Sequence, residues 1–130
     1  MFCTEYNNNN KKLGKGTNNI MNVDCKLPTV YIGYDPTEDD YFRTLVYSIR
    51  KHASAPVQIV PLDQHELRRA GLYSRSYEIV DGRRVDIFDG KPYSTEFSFT
   101  RFLVPFLQQF SGKAIFMDSD MYVRGDIMEV

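Results

Sequence analysis

Apolar and polar positions along the chain fall into blocks whose period changes from one to the next. Thr29-Val30-Tyr31-Ile32 is an unbroken β-branched and aromatic run between Pro28 and Gly33, which predicts a strand that Gly33 ends. Gly33-Tyr34-Asp35-Pro36 then reads as a loop at the carboxyl end of that strand. The period lengthens from there: Tyr41, Leu45 and Ile49, flanked by Phe42 and Val46, recur at helical spacing. Thr37 is the expected N-cap, with Asp40 completing a capping box. Glu38, Asp39 and Asp40 open the helix and Arg50, Lys51 and His52 close it, both signs matching the helix dipole. Pro56 forbids continuation, and Val57-Gln58-Ile59-Val60 predicts a second strand. Two strands joined through a helix in this way pair in parallel.

Beyond Pro61, the run Asp63 to Ala70 predicts a short helix closed by Gly71. Tyr77-Glu78-Ile79-Val80 and Arg84-Val85-Asp86-Ile87-Phe88 flank Asp81-Gly82, a strong hairpin signal. Ser94 or Thr95 should cap a helix reaching to about Phe110, with Phe99, Phe102, Leu103, Phe106, Leu107 and Phe110 as its apolar face. Pro105 inside it should bend it and free the carbonyl of Arg101. Gly112 ends that helix. Lys113 to Asp118 then predicts a third strand, short and apolar. Met121 to Val123 and Ile127 to Val130 read as extended or turn segments. The fold class expected is α/β: a three-layer arrangement with a mostly parallel sheet near 29–33, 57–60 and 113–118, and the helix 38–52 on one face.

Residues 1–28 differ in kind. Asn7 to Asn10, Asn18, Asn19 and Asn22 alternate with Lys11, Lys12, Lys15 and Lys26 without apolar periodicity, so this low-complexity stretch is expected to be a flexible leader. Gly14-Lys15-Gly16-Thr17 lacks the earlier glycine and the preceding strand of a phosphate loop. Cys3 and Cys25 lie in this zone and lack metal-site spacing, which leaves a reducing cytoplasm as the default location. Residues 29–130 carry the globular part. With 42% apolar residues and a net charge of −1, the chain offers no electrostatic case for nucleic acid or a membrane surface. Phe102 to Leu107, the longest apolar run, is too short to span a bilayer.

Candidate chemistry gathers at the end of the third strand. Asp118 and Asp120, separated by the small Ser119, would point to one side if the extension continued. Two carboxylates so placed repel each other unless a cation lies between them. Hard oxygen donors suit Mg²⁺ or Mn²⁺, which bind through one or two carboxylates and keep positions open for substrate phosphates. In α/β sheets ligands bind beyond the carboxyl ends of the strands, where these residues fall.

The run Ile115-Phe116-Met117-Asp118-Ser119-Asp120-Met121-Tyr122-Val123-Arg124-Gly125-Asp126-Ile127 resembles the metal-site stretch of nucleotide-sugar glycosyltransferases with the GT-A fold. The group containing glycogenin and the bacterial lipopolysaccharide galactosyltransferases is the nearest in pattern. Phe97 to Pro105, with Arg101 ahead of an apolar stretch, resembles that family's helix, and Tyr31 to Asp35 its nucleotide-binding first strand. The resemblance covers about residues 29 to 130, the N-terminal, donor-binding half of such a domain. It implies that Asp118 and Asp120 hold the Mn²⁺ or Mg²⁺ that bridges the donor diphosphate, with Asp118 also touching the ribose. It places Arg101 near the diphosphate or sugar, and Asp35, with the backbone of Gly33 and Tyr34, toward the base and ribose. The activity implied is sugar transfer from a nucleotide-diphosphate donor, UDP-sugar favoured, to a glycan, lipid or protein acceptor.

The family's third metal ligand, usually a histidine, and its acceptor-binding half have no counterpart in this sequence. The 130 residues are therefore expected to be a truncated unit, inactive by themselves. Two further readings use the same motif. One is a nucleotide-binding fragment without activity. The other is a metal-dependent phosphohydrolase with an aspartyl nucleophile, although that class continues with a small residue and Thr or Val where Met121 and Tyr122 stand. An EF-hand counted from Asp118 would put Glu129 at its last position, but Val123 stands where its glycine is needed.

Overall fold

The computed structural model describes residues 27–130. The expected leader, its phosphate-loop-like tetrapeptide and both cysteines fall at residues 1–26, outside the described residues. Within them a mixed α/β fold is built on a parallel sheet of three strands in the order β2-β1-β6. These are β1 (Thr29–Tyr34), β2 (Gln58–Asp63) and β6 (Ala114–Met117), and helix α1 (Asp39–His52) joins the first two. Thr29 of β1 pairs with Gln58 on one side and with Ala114 on the other, and both ladders are parallel, as the apolar runs predicted.

As the central strand, β1 is buried on both faces, and for that reason it carries no alternation of apolar and polar residues. Val30 and Ile32 face α1 and pack with Leu45, Ile49, Met117 and Ile127. Tyr31 faces the other way, into a second cluster with Val60, Leu62, Leu67, Tyr73 and Leu107. That cluster is roofed by α2 (Gln64–Arg69) and α3 (Val104–Leu107), so the sheet has helices on both faces. Strand β2 runs past its expected end and includes Pro61. A proline is tolerated there because β2 is an edge strand and need not donate on its outer side.

A smaller antiparallel sheet, β3 (Tyr77–Val80), β4 (Arg83–Asp86) and β5 (Pro92–Tyr93), is inserted between α2 and the helical turns before β6. Its first hairpin turns at Asp81 and Gly82, both with positive φ (49° and 75°), the backbone of a type I′ turn.

Three expectations are corrected. Asp35, not Thr37, caps the start of the helical segment, because a 3-10 turn (Pro36–Glu38) precedes α1 and its first free N–H groups point back at residue 35. Strand β1 continues through Gly33 to Tyr34. The long helix from 94–95 to 110 is replaced by a turn, a 3-10 segment (Thr100–Leu103) and the four-residue α3. Pro105 sits in the first turn of α3, where its missing N–H costs nothing. The carbonyl of Arg101 is not freed, since the Val104 N–H bonds to it. This broken path buries Phe97 and Leu107 but leaves Phe102, Phe106 and Phe110 exposed.

Gly33 matters for another reason than ending a strand. A Cβ there would stand 2.4 Å from the ring of Phe97, which is itself only 4% exposed. Gly33→Ala should therefore destabilise the fold by about 1–3 kcal/mol, the usual cost of overpacking. Gly125→Ala, where an added Cβ meets nothing within 4 Å, should leave stability within about 0.5 kcal/mol. Urea denaturation followed by circular dichroism measures both; equal stabilities would refute the close-approach argument.

Candidate functional site

Asp118 leaves the carboxyl end of β6 beside the central β1. The β1 connection runs to β2 on one side of β1, while β6 lies on its other side, so the crevice between their carboxyl ends is a topological switch point. The extension does not continue to Asp120. The Met121 N–H bonds back to the Asp118 carbonyl at 3.3 Å, closing a turn over residues 118–121. Asp118 is half-buried, Asp120 is exposed and Ser119 between them is fully buried. Ser119 Oγ donates to Glu38 Oε2 at 2.8 Å, which stitches this turn to the start of α1.

Arg101 reaches the same place from the 3-10 segment. Its Nη2 donates to Asp118 Oδ1 at 3.2 Å, and its guanidinium lies over the Phe116 ring, 5.0 Å from the centroid. Its Nε is buried and has no acceptor. A buried donor without a partner is costly and uncommon. Gln64 Oε1 and Glu96 Oε2 are the other buried side-chain atoms without a hydrogen-bond partner among the described residues.

Tyr34, the last residue of β1, lines a cavity of about 270 Å³ with Asp39, Phe42, Pro61, Asp63 and Glu66. Its hydroxyl donates to Asp39 Oδ1 at 3.1 Å, and its ring meets Phe42 edge-on, centroids 5.1 Å apart. Burial, then the Asp39 hydrogen bond and charge, raises the phenol above its ordinary pKa. A larger open cleft of about 720 Å³ lies on the antiparallel sheet, bounded by Tyr77, Arg84 and Tyr93 among others. Burial there pushes the Tyr93 hydroxyl up to about 12.

Asp35 differs from its expected role. It is 2% exposed, and its carboxylate is occupied inside the protein. Oδ1 accepts from Thr37 N (3.0 Å) and Thr37 Oγ1 (2.6 Å), and Oδ2 accepts from Glu96 N (3.1 Å). Arg84 Nη2 stands 3.8 Å from Oδ2 and 3.4 Å from Glu96 Oε1. His65 Nε2 lies 3.3 Å from the other Glu96 oxygen, an ion-pair distance without hydrogen-bond alignment. Burial alone would raise the Asp35 carboxyl, but the Thr37 and Glu96 hydrogen bonds and the Arg84 charge outweigh it and hold the pKa below the ordinary range. Gly33 is likewise engaged, closed over by Phe97.

The fold thus brings Arg101 and Asp118 into contact and places Asp120 two residues on, in the same turn. It assigns Asp35 to structure. Glu38, Arg84 and Glu96 were not singled out from the sequence. Glu38 reads as one of the acids opening a helix, Arg84 as the start of a hairpin strand and Glu96 as part of an expected helix start, so nothing local marks them as partners of the site. Among the described residues, no three His, Cys, Asp or Glu side chains are grouped as a metal site. Two carboxylates would leave most of a divalent cation's shell to water or to substrate oxygens. No described helix is long and apolar enough to cross a membrane.

Comparison with known proteins adds one relationship. The chain is similar to Protein CDI of Arabidopsis thaliana, 41% identical over 101 residues, which is 78% of this chain and 34% of that protein. The chain thus spans about a third of the length of this curated relative. No family model matches the chain, and no solved structure matches it significantly.

Asp35→Asn should cost on the order of 3 kcal/mol at neutral pH, because it removes one partner of a buried charge pair and turns an acceptor into a donor facing the Glu96 N–H. A depressed folded-state pKa gives stability that is present above the unfolded value of about 4 and is lost as pH falls through the folded value. Wild type should therefore lose stability steeply below about pH 4. The variant, already weakened, should show a shallower acid slope. Urea midpoints between pH 2 and 7 test both; parallel pH profiles would remove Asp35 from this role.

Proposed function

We propose that this chain is the donor-binding part of a metal-dependent glycosyltransferase that takes a sugar from a nucleoside-diphosphate carrier, with a UDP-sugar favoured. The observation that carries the reading is the Arg101–Asp118 pair at the carboxyl end of β6, with Arg101 Nε buried and lacking an acceptor. A diphosphate offers the oxygen acceptors that this donor lacks. The motif Asp118-Ser119-Asp120 and its apolar context, similar to the GT-A metal stretch, support the same reading.

Each residue then has a definite task. Asp118 and Asp120 would hold a Mn²⁺ or Mg²⁺ ion, which when bound supplies positive charge to the departing diphosphate. Arg101 donates from Nε and Nη2 to phosphate oxygens and stabilises negative charge where it develops. The Phe116 ring under the guanidinium keeps the side chain within the site. Ser119, bonded to Glu38, fixes the turn that carries both carboxylates. Tyr34 and Phe42 wall the cavity at the β1 and β2 ends that would take the base. The acceptor is a glycan, lipid or protein bound by parts of a longer protein.

A site completed by substrate oxygens binds metal and nucleotide cooperatively. Ligands that bind only the folded state stabilise it by RT ln(1 + [L]/Kd), about 2.7 kcal/mol at 100 times Kd. For a domain of this size that is a melting shift on the order of 10 °C. Mn²⁺ with UDP should raise Tm by more than the sum of their separate shifts, and Asp120→Asn should abolish the excess. Calorimetry reads this directly. Additive shifts in wild type would overturn the donor reading, and an excess that survives Asp120→Asn would move the metal elsewhere.

A further inference from the structure

Resting on the donor reading above, we infer that Arg101 is a stand-in cation: it competes with the divalent metal for Asp118, and the incoming diphosphate draws it away, so that nucleotide binding gates metal binding. Without ligand, Asp118 has one oxygen committed to Arg101 Nη2 at 3.2 Å, and the half-exposed carboxylate is neutralised by that contact. Asp120 is exposed, in the turn two residues on. A divalent ion arriving alone must displace the guanidinium from Asp118 or share the carboxylate with it, against like-charge repulsion.

The unpartnered Nε gives the guanidinium a reason to move. Arg101 carries five N–H donors in a planar fork. One serves Asp118, while the buried Nε serves nothing. Phosphoryl oxygens match that fork in geometry and charge, whereas a single carboxylate oxygen uses only one of its prongs. Nucleotide binding therefore draws the guanidinium out toward phosphate, and Nε finds an acceptor once that movement uncovers it. Asp118 Oδ1 is then free to coordinate the cation just as the phosphates supply the rest of its shell. The stacking contact with Phe116 gives the side chain a surface along which to shift without leaving the site. Metal held without nucleotide is thereby disfavoured.

The test uses Mn²⁺ alone, followed by electron paramagnetic resonance and calorimetry, on the 130-residue chain and on Arg101→Met, which keeps the apolar stem of the side chain but removes the guanidinium and its charge. A half-exposed ion pair is worth up to about 1 kcal/mol, so Arg101→Met should bind Mn²⁺ alone about fivefold more tightly than wild type. It should also show little of the affinity gain that UDP confers on the wild-type site. Unchanged or weaker Mn²⁺ binding in Arg101→Met, with UDP still enhancing Mn²⁺ binding in wild type, overturns the competition and leaves the donor site intact. Failure of UDP to enhance Mn²⁺ binding in wild type overturns both. A second measurement needs no variant. The Arg101 Nε–Hε resonance should move downfield and exchange more slowly when UDP is added with diamagnetic Mg²⁺, and an unshifted resonance under saturating UDP counts equally against the proposal.

Discussion

A carboxylate sealed at the end of the central strand has to find its charge and hydrogen-bond partners inside the protein, and Asp35 is such a group. It meets this demand by gathering one neighbouring and two remote parts of the chain. Thr37 binds it from the start of the helical segment, Glu96 N from the loop after the antiparallel sheet, and Arg84 from β4 within that sheet. One guanidinium thus serves two buried carboxylates, Asp35 and Glu96, while His65 from α2 faces the remaining Glu96 oxygen. The two sheets share no backbone ladder, so this knot is a principal polar tie between them.

The candidate site inherits its geometry from that tie. With Glu96 anchored, Phe97 is pressed over Gly33, and the buried Thr100 fixes the turn from which Arg101 projects. From the other side, Ser119 holds the β6 turn to Glu38 at the start of α1. Arg101 and Asp118 therefore meet at 3.2 Å across elements that both refer back to the end of β1. A second tie holds the antiparallel sheet itself: Arg75 pairs with the buried Asp86 and lies over Phe99, 4.1 Å from its centroid.

Two kinds of charged group emerge from this arrangement. Asp35, Glu96 and Asp86 are enclosed and occupied by neighbouring groups, as structural charges must be. Asp118 is half-buried at the carboxyl end of β6, and Asp120 is exposed in the turn that follows. Arg101 belongs to both groups, partly exposed as a side chain and buried at Nε. That division separates enclosed charges from open ones, and neither residue type nor sequence spacing reveals it.

The sequence by itself determined the elements whose cause is local. An unbroken apolar run made β1 a buried strand, Asp81-Gly82 made a hairpin, and the recurrence of Leu45 and Ile49 made α1. It also supplied the pair Asp118 and Asp120 and their place at a strand end. Where the cause is remote, the sequence misled. Phe102, Phe106 and Phe110 recur at helical spacing, yet the chain there folds into shorter turns, because Phe97 and Leu107 are claimed by the core and Arg101 by Asp118. Asp35 in a Gly-Tyr-Asp-Pro loop looked like a ligand contact, but its partners lie 49 and 61 residues away, at Arg84 and Glu96. Burial and ion pairing depend on which segments meet in space. Only the tertiary structure could decide that the Asp35 carboxylate is enclosed and paired, and that Arg101 meets Asp118 through Nη2 while its Nε stays unpaired.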